Sequence, residues 1–349
     1  MQIFKIISIV SLIIFGMEKA AKAVTYEKWV ANAGRIINSF ETKKLNQVSD
    51  DFDCQGISFG MQQKPIANGG LTQIIIQLAP GQKSKSFALA SHIAADTMPT
   101  ISDQFNKILS LLEKGNLKQA RLESLKLQNR ESSAECADGV KGNGFKGSAK
   151  QELEAWLASD TITQAQIFLK NKDARRALEV SYCWNRIYAE NKTLKFSEFV
   201  YHLDFLTNAG GLGIYGGEYY HISNLLRDHK QYSFLKSVRI ERKAKNLARW
   251  LETSWVDPIN KKHEIDASKN AALIRSGSLE IGYDELQLLY IRMIRAQVGS
   301  TPAQMSFFNR GFLLVNGVGW FQSGKKDLRS TYSKMGQLDQ NTLASIQCK

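Results

Sequence analysis

The sequence predicts a mainly α-helical chain, α+β in class, with a small β element. Apolar residues recur at helical spacing in long segments, whereas strand signals are confined to an alternation over 57–62 and an Asn316-Gly317 turn within 312–321. With 43% apolar and 10% aromatic residues, the chain has the composition of a globular protein able to bury a sizeable core.

Residues 1–23 open with Lys5, continue as an apolar run from Ile6 to Met17 and end in Ala21-Lys22-Ala23. This order of basic start, short apolar run and small residues predicts a secretory signal peptide cleaved before Val24, since the run is too short for an ordinary membrane span. The mature chain, 24–349, is then exported, to the periplasm or beyond. Its four cysteines, Cys54, Cys136, Cys183 and Cys348, all lie past the leader, and export favours structural disulfides among them with the pairing open.

Trp29, Val30, Ala33, Ile36, Ile37 and Phe40 place one apolar face on a helix over 26–40. Ile57, Phe59 and Met61 alternate with Ser58, Gly60 and Gln62 as in a short strand. Residues 71–78 read as a short helix. Ile101, Phe105, Ile108, Leu109 and Leu112 give an amphipathic helix that Gly115 terminates. The glycine-rich segment 137–149 reads as a surface loop or a hinge between two lobes. Residues 151–190 read as two helices that bury Trp156, Leu157, Phe168, Leu178 and Trp184. Another helix over 196–206 breaks at Gly210-Gly211, before the aromatic run GIYGGEYYH. A basic helix spans 236–253, an amphipathic one 284–297, and 312–321 reads as a hairpin turning at Asn316-Gly317.

Chemistry concentrates at 39–63. Glu41 leaves the last turn of the first helix, and Asp50, Asp51 and Asp53 precede the strand, so carboxylates come to one edge. Glycoside hydrolysis needs such a pair: a protonated acid for the leaving oxygen, and an ionised carboxylate that attacks the sugar or activates water. Apolar neighbours such as Phe40 favour the protonated form of the acid. The five histidines show no i, i+4 pair with a nearby acid, so no catalytic metal or other cofactor is expected.

The segment SFE (Ser39 to Glu41) followed by D-x-x-G-I-S-F-G-x-x-Q (Asp53 to Gln63) resembles the active-site segment of the lysozyme-like superfamily. It is most similar to family 46 chitosanases and to bacterial and phage proteins labelled peptidoglycan-binding. The resemblance implies a two-lobed fold with the β element at the active-site cleft. It also implies Glu41 as general acid, Asp53 as base, with Asp51 in reserve, and Ser58 as the hydroxyl that helps hold the attacking water. Where those proteins continue with Q-W-N and a glycine-rich turn, this chain has Gln62, Gln63, Lys64 and Pro65, then Asn68-Gly69-Gly70. A second match runs from Ser300 to Gln322, without the usual His, and a third is LDFLTNAGGLG, Leu203 to Gly213. Gln55 and Gln62 beside the strand, with Tyr215 and Glu218 in the aromatic run, are the candidate sugar contacts.

The formal charge of +13 falls only slightly when Lys5, Lys19, Lys22 and Glu18 leave with the leader. A basic surface favours an anionic polymer such as peptidoglycan over the polycation chitosan. Export and the lack of a nucleic-acid-binding motif argue against nucleic acid as partner. The sequence therefore points to a peptidoglycan glycosidase. A chitosanase or chitinase, a lytic transglycosylase and a non-catalytic wall-binding module are the alternatives.

Overall fold

The structure, a computed structural model, describes residues 23–41, 45–50, 56–60, 64–129, 144–209, 240–253, 261–296 and 301–348. These residues are mainly helical. The chain begins with α1 (Tyr26–Glu41), then β1 (Val48–Ser49), β2 (Ser58–Phe59), β3 (Lys64–Pro65) and α2 (Gly70–Ile75). Next come α3 (Lys83–Thr97), α4 (Ser102–Glu113), α5 (Leu117–Leu125), α6 (Ala149–Ala158), α7 (Asp160–Ile187) and α8 (Phe196–Ala209). Then follow α9 (Ile240–Thr253), α10 (Lys261–Arg275), α11 (Tyr283–Ala296) and α12 (Thr301–Asn316). The hairpin β4 (Val318–Phe321) with β5 (Gly324–Asp327) and the short helices α13 (Arg329–Ser333) and α14 (Gln340–Ala344) complete the chain.

The expected helices over 26–40, 71–78, 101–112, 196–206 and 284–297 are present as α1, α2, α4, α8 and α11. The segment 151–190 is two helices, broken where Ser159 turns extended (ψ 142°). Gly115, at φ +76°, lies just past the end of α4, where a left-handed residue closes a helix. At 28 residues, α7 is about 42 Å long. Its first half packs with Phe59, Phe105 and Trp156 in one core, its middle with Trp29 and Phe199 in a second, and Trp184 near its end in a third.

The small sheet is antiparallel in the order β1-β2-β3, with Ser58 opposite both Ser49 and Pro65. The expected alternation across 57–62 is not seen: residues 56–60 are all buried. Left-handed Gly56 (φ +83°) and Gly60 (φ +71°) bracket the strand and shorten it to two residues. Met61 and Gln62 lie outside the described residues.

Two further expectations are corrected. Phe168 is 54% exposed. The buried stripe of α7 runs through Ile162, Ala165, Gln166 and Leu169, and Phe168 falls off it. The hairpin expected over 312–321 is instead the last turns of α12 followed by β4. Gly317, at φ +69°, closes that helix, and the turn is Gln322-Ser323 with φ of 55° and 63°. Asn-Gly suits a left-handed helix end as well as a two-residue turn, and the Phe312-to-Val315 run is buried all round as a helix between two cores.

The C-terminal segment closes over α1. Val24 N–H donates to Gln337 O (2.9 Å), and the Trp29 indole N–H donates to Gly336 O (3.3 Å). A disulfide joins Cys183 in α7 to Cys348 across 165 residues. Cys54 and Cys136 lie outside the described residues. Because the Cys183 link closes so long a loop in the unfolded chain, Cys348→Ser is expected to lower unfolding free energy by about 2–5 kcal/mol, read by denaturant titration.

Candidate functional site

Glu41 is the last residue of α1, and its side chain lies outside what the structure describes. The groups that fix its backbone are well defined. Phe40 is buried and meets Phe321 of β4 edge-on, ring centroids 5.3 Å apart. Its carbonyl, left without an intrahelical donor at the helix end, accepts from Gln322 Nε2 at 2.8 Å. The hairpin turn thus caps the helix that carries Glu41.

The hairpin is itself anchored from α10. Ser323 N–H donates to Asp266 Oδ2 (3.0 Å), Trp320 N–H donates to Asn270 Oδ1 (2.7 Å), and Asn270 Nδ2 donates back to Trp320 O (3.0 Å). One buried amide therefore satisfies both backbone groups of a strand residue.

Beneath this arrangement lies a buried ion cluster. Asp204 of α8 pairs with Arg292 of α11 (2.6 Å) and with Arg310 of α12; Asp204 and Arg292 are fully buried. Arg292 also donates from Nε to Phe307 O (2.8 Å) and lies 3.5 Å from the Phe307 ring centroid. Burial lowers the Arg292 pKa, and the Asp204 charge opposes that shift. The Arg310 guanidinium sits 5.2 Å from the Phe40 ring centroid, so a cation held by Asp204 lies against the residue that precedes Glu41.

Gly311 follows Arg310 in mid-helix because Arg292 crosses there: a Cβ would come within 2.4 Å of Arg292 Nε and 2.7 Å of its Cδ.

Ser58 sits in β2, 4% exposed. Leu45, four residues on from Glu41, lies against Gly60, two residues on from Ser58: its carbonyl would be 3.3 Å from a Cβ at Gly60. Chain connectivity alone keeps the Glu41 Cα within about 14 Å of the Leu45 Cα. Asp53, Asp51, Gln55, Gln62, Tyr215 and Glu218 lie outside the described residues. Asp50 is structural, accepting from Gly144 N–H (3.0 Å).

The remaining titratable groups near Asp204 are also structural. His202 is fully buried, with Nδ1 2.9 Å from both Ser181 Oγ and Glu198 O, and burial pushes its pKa down to about 3, leaving the ring neutral. Glu198, in the first turn of α8, accepts from Lys195 N–H and Asn185 Nδ2 (both 3.1 Å), as in a helix-capping contact. Burial pushes its pKa up to about 8. Among the described residues no three His, Cys, Asp or Glu side chains gather as a metal site.

In the sequence Asp204 and Arg310 lie within the third and second matched segments but receive no role there, and Arg292 lies in neither. The signal was present as a lone arginine within each of the apolar runs LQLLYIRMI and FFNRGFLLV, where a charge at a core position demands a buried partner.

Comparison with known protein families, curated proteins and solved structures finds no match to this chain.

Two outcomes are expected. Although alanine is normally the better helix former by about 1 kcal/mol, Gly311→Ala should lose about 1–3 kcal/mol in denaturant unfolding because it overpacks Arg292. For Glu198, a folded pKa above the unfolded value means stability that is present at pH 4 and lost as pH rises through 8. Glu198→Gln should therefore gain on the wild type in thermal midpoint between pH 5 and 8.5 by about 5 °C.

Proposed function

We propose that the protein is an exported glycoside hydrolase of lysozyme-like type that cleaves peptidoglycan glycan strands, with Glu41 protonating the glycosidic oxygen. Asp53 activates a water on the opposite face of the sugar, Ser58 helps position that water, and the anomeric configuration inverts. The observation that carries this reading is the fixed end of α1. A capped carbonyl at Phe40, an aromatic wall from Phe321 and a cation anchored on Asp204 converge on the residue before Glu41. Rigid support of this kind is what a proton donor needs, because a misplaced acid loses most of its effect. The mainly helical fold with a small sheet suits the architecture that the resemblance implies. An inverting pair requires carboxyl groups about 6.5–9.5 Å apart, with room between for the water.

The test is digestion of purified peptidoglycan by the mature protein, 24–349, and by its Glu41→Gln variant, with released fragments read by mass spectrometry. Hydrated muropeptides are expected from the wild type, with release reduced at least about 100-fold in Glu41→Gln. Anhydro ends that persist in Asp53→Asn would make the protein a lytic transglycosylase. Cleavage of chitosan or chitin alone would change the polymer, and no cleavage of any glycan would leave a wall-binding module.

A further inference from the structure

A second polar cluster lies against α1, between α7 and the small sheet. A cavity of about 10 Å³, lined among others by Leu45, Phe59, Lys64, Gln166 and Lys170, has room for about one water-sized atom. Three nitrogen donors border it. Lys64 Nζ already donates to Gln73 Oε1 (3.2 Å) and lies 3.7 Å from Asp173 Oδ2. Gln166 is 6% exposed, and its Nε2 finds no hydrogen-bond partner. Its other end packs on Gly60, where a Cβ would come within 2.0 Å of Oε1.

Lys170 is half-buried and makes no hydrogen bond or ion pair among the described residues, and burial lowers its pKa. Its ammonium rests on α1 at Gly34, 3.0 Å from where a Cβ would stand. Gly34 and Glu41 are seven residues apart, so they share one face of α1 about 10 Å apart along its axis. Phe59, on the cavity wall, is the neighbour of Ser58. The cluster therefore lies next to the strand that carries Ser58 and on the face of α1 that carries Glu41.

A desolvated cation and an unsatisfied amide N–H at one small opening match an anionic oxygen. The nearby Asp173 carboxylate is already engaged by Lys64. We propose that Lys170 and Gln166 form a subsite for a carboxylate of the glycan substrate, which selects acidic amino-sugar strands over neutral or cationic ones. This rests on the glycan reading above and names the chemical feature by which that substrate is recognised. Two carboxylates are available on such strands, the lactyl group of the sugar and the free acid of an attached peptide.

The test measures binding to the full mature chain carrying Glu41→Gln, so that nothing is cleaved. Two tetrasaccharide probes, one peptide-free and one peptide-bearing, are each titrated beside their methyl esters. One pair should show about a tenfold preference for the free acid, the size of one charge-assisted hydrogen bond, and the pair that shows it identifies the carboxylate. Adding Lys170→Met should collapse that preference to about onefold, while Lys170→Arg keeps part of it. The thermal midpoint of Lys170→Met should be unchanged or higher, since it removes a desolvated charge. If that variant does not fold, Gln166→Leu serves in its place and should reduce the preference. No acid preference in either pair, or one that survives both substitutions, overturns the proposal. A wild type that cleaves no glycan would instead sink the hydrolase reading while leaving this binding result intact.

Discussion

The fold depends on one buried carboxylate. Asp204 sits between Arg292 and Arg310, and the three come from α8, α11 and α12. Desolvating three charges costs several kcal/mol per ion before their attraction returns anything, and well-packed apolar side chains of equal volume would often be as stable. What apolar packing does not supply is direction. The carboxylate has two oxygens, and each holds a different arginine on a different helix. The register of α12 against α8 and α11 is thereby fixed, and with it the place where Arg310 meets Phe40. Take the carboxylate away and two guanidiniums are left in the core, a far worse state than either a full cluster or none.

From that point the constraint passes outward. α12 ends at Gly317, β4 starts at once, and the Gln322-Ser323 turn reaches back to the Phe40 carbonyl while α10 grips the strand through Asn270. Apart from the chain's own run from α12 into β4, these links are backbone groups satisfied by side chains at hydrogen-bond distance. The end of α1 is therefore tied to segments far away in sequence.

Much of the helical framework was legible because periodicity reports burial on one face. It failed where burial is not one-sided. The Phe312-to-Val315 run is buried all round and carries no period, so Asn316-Gly317 was read as a turn when it ends a helix. Ser58 is buried together with Phe59 because the sheet is covered on both faces, which hides the strand's alternation. Phe168 shows the opposite error: an aromatic residue one position off the buried stripe of α7 is exposed, while Gln166 occupies the stripe. Of the site, Glu41 and Ser58 stood out in a local segment, whereas the supporting arginines belong to helices more than 200 residues downstream. Their partnership exists only once α8, α11 and α12 have packed.

The positive charge of the chain acts at two ranges. On α9, Arg242, Lys245 and Arg249 are exposed, and their attraction for an anionic polymer is screened beyond about 8 Å at physiological ionic strength. Such a surface raises encounter rates and discriminates little between one polyanion and another. Lys170 is different in kind. Packed against α1 and partly shielded from water, it interacts in a medium where a charge pair is several-fold stronger and far less sensitive to salt. A cation kept in that setting weakens the fold, because burial works against its charge, and the cost is offset only when an anion arrives. Among the described residues Lys170 is thus a partly buried cation that the fold leaves without an ion-pair partner, unlike the exposed cations of α9, whose charge solvent already satisfies.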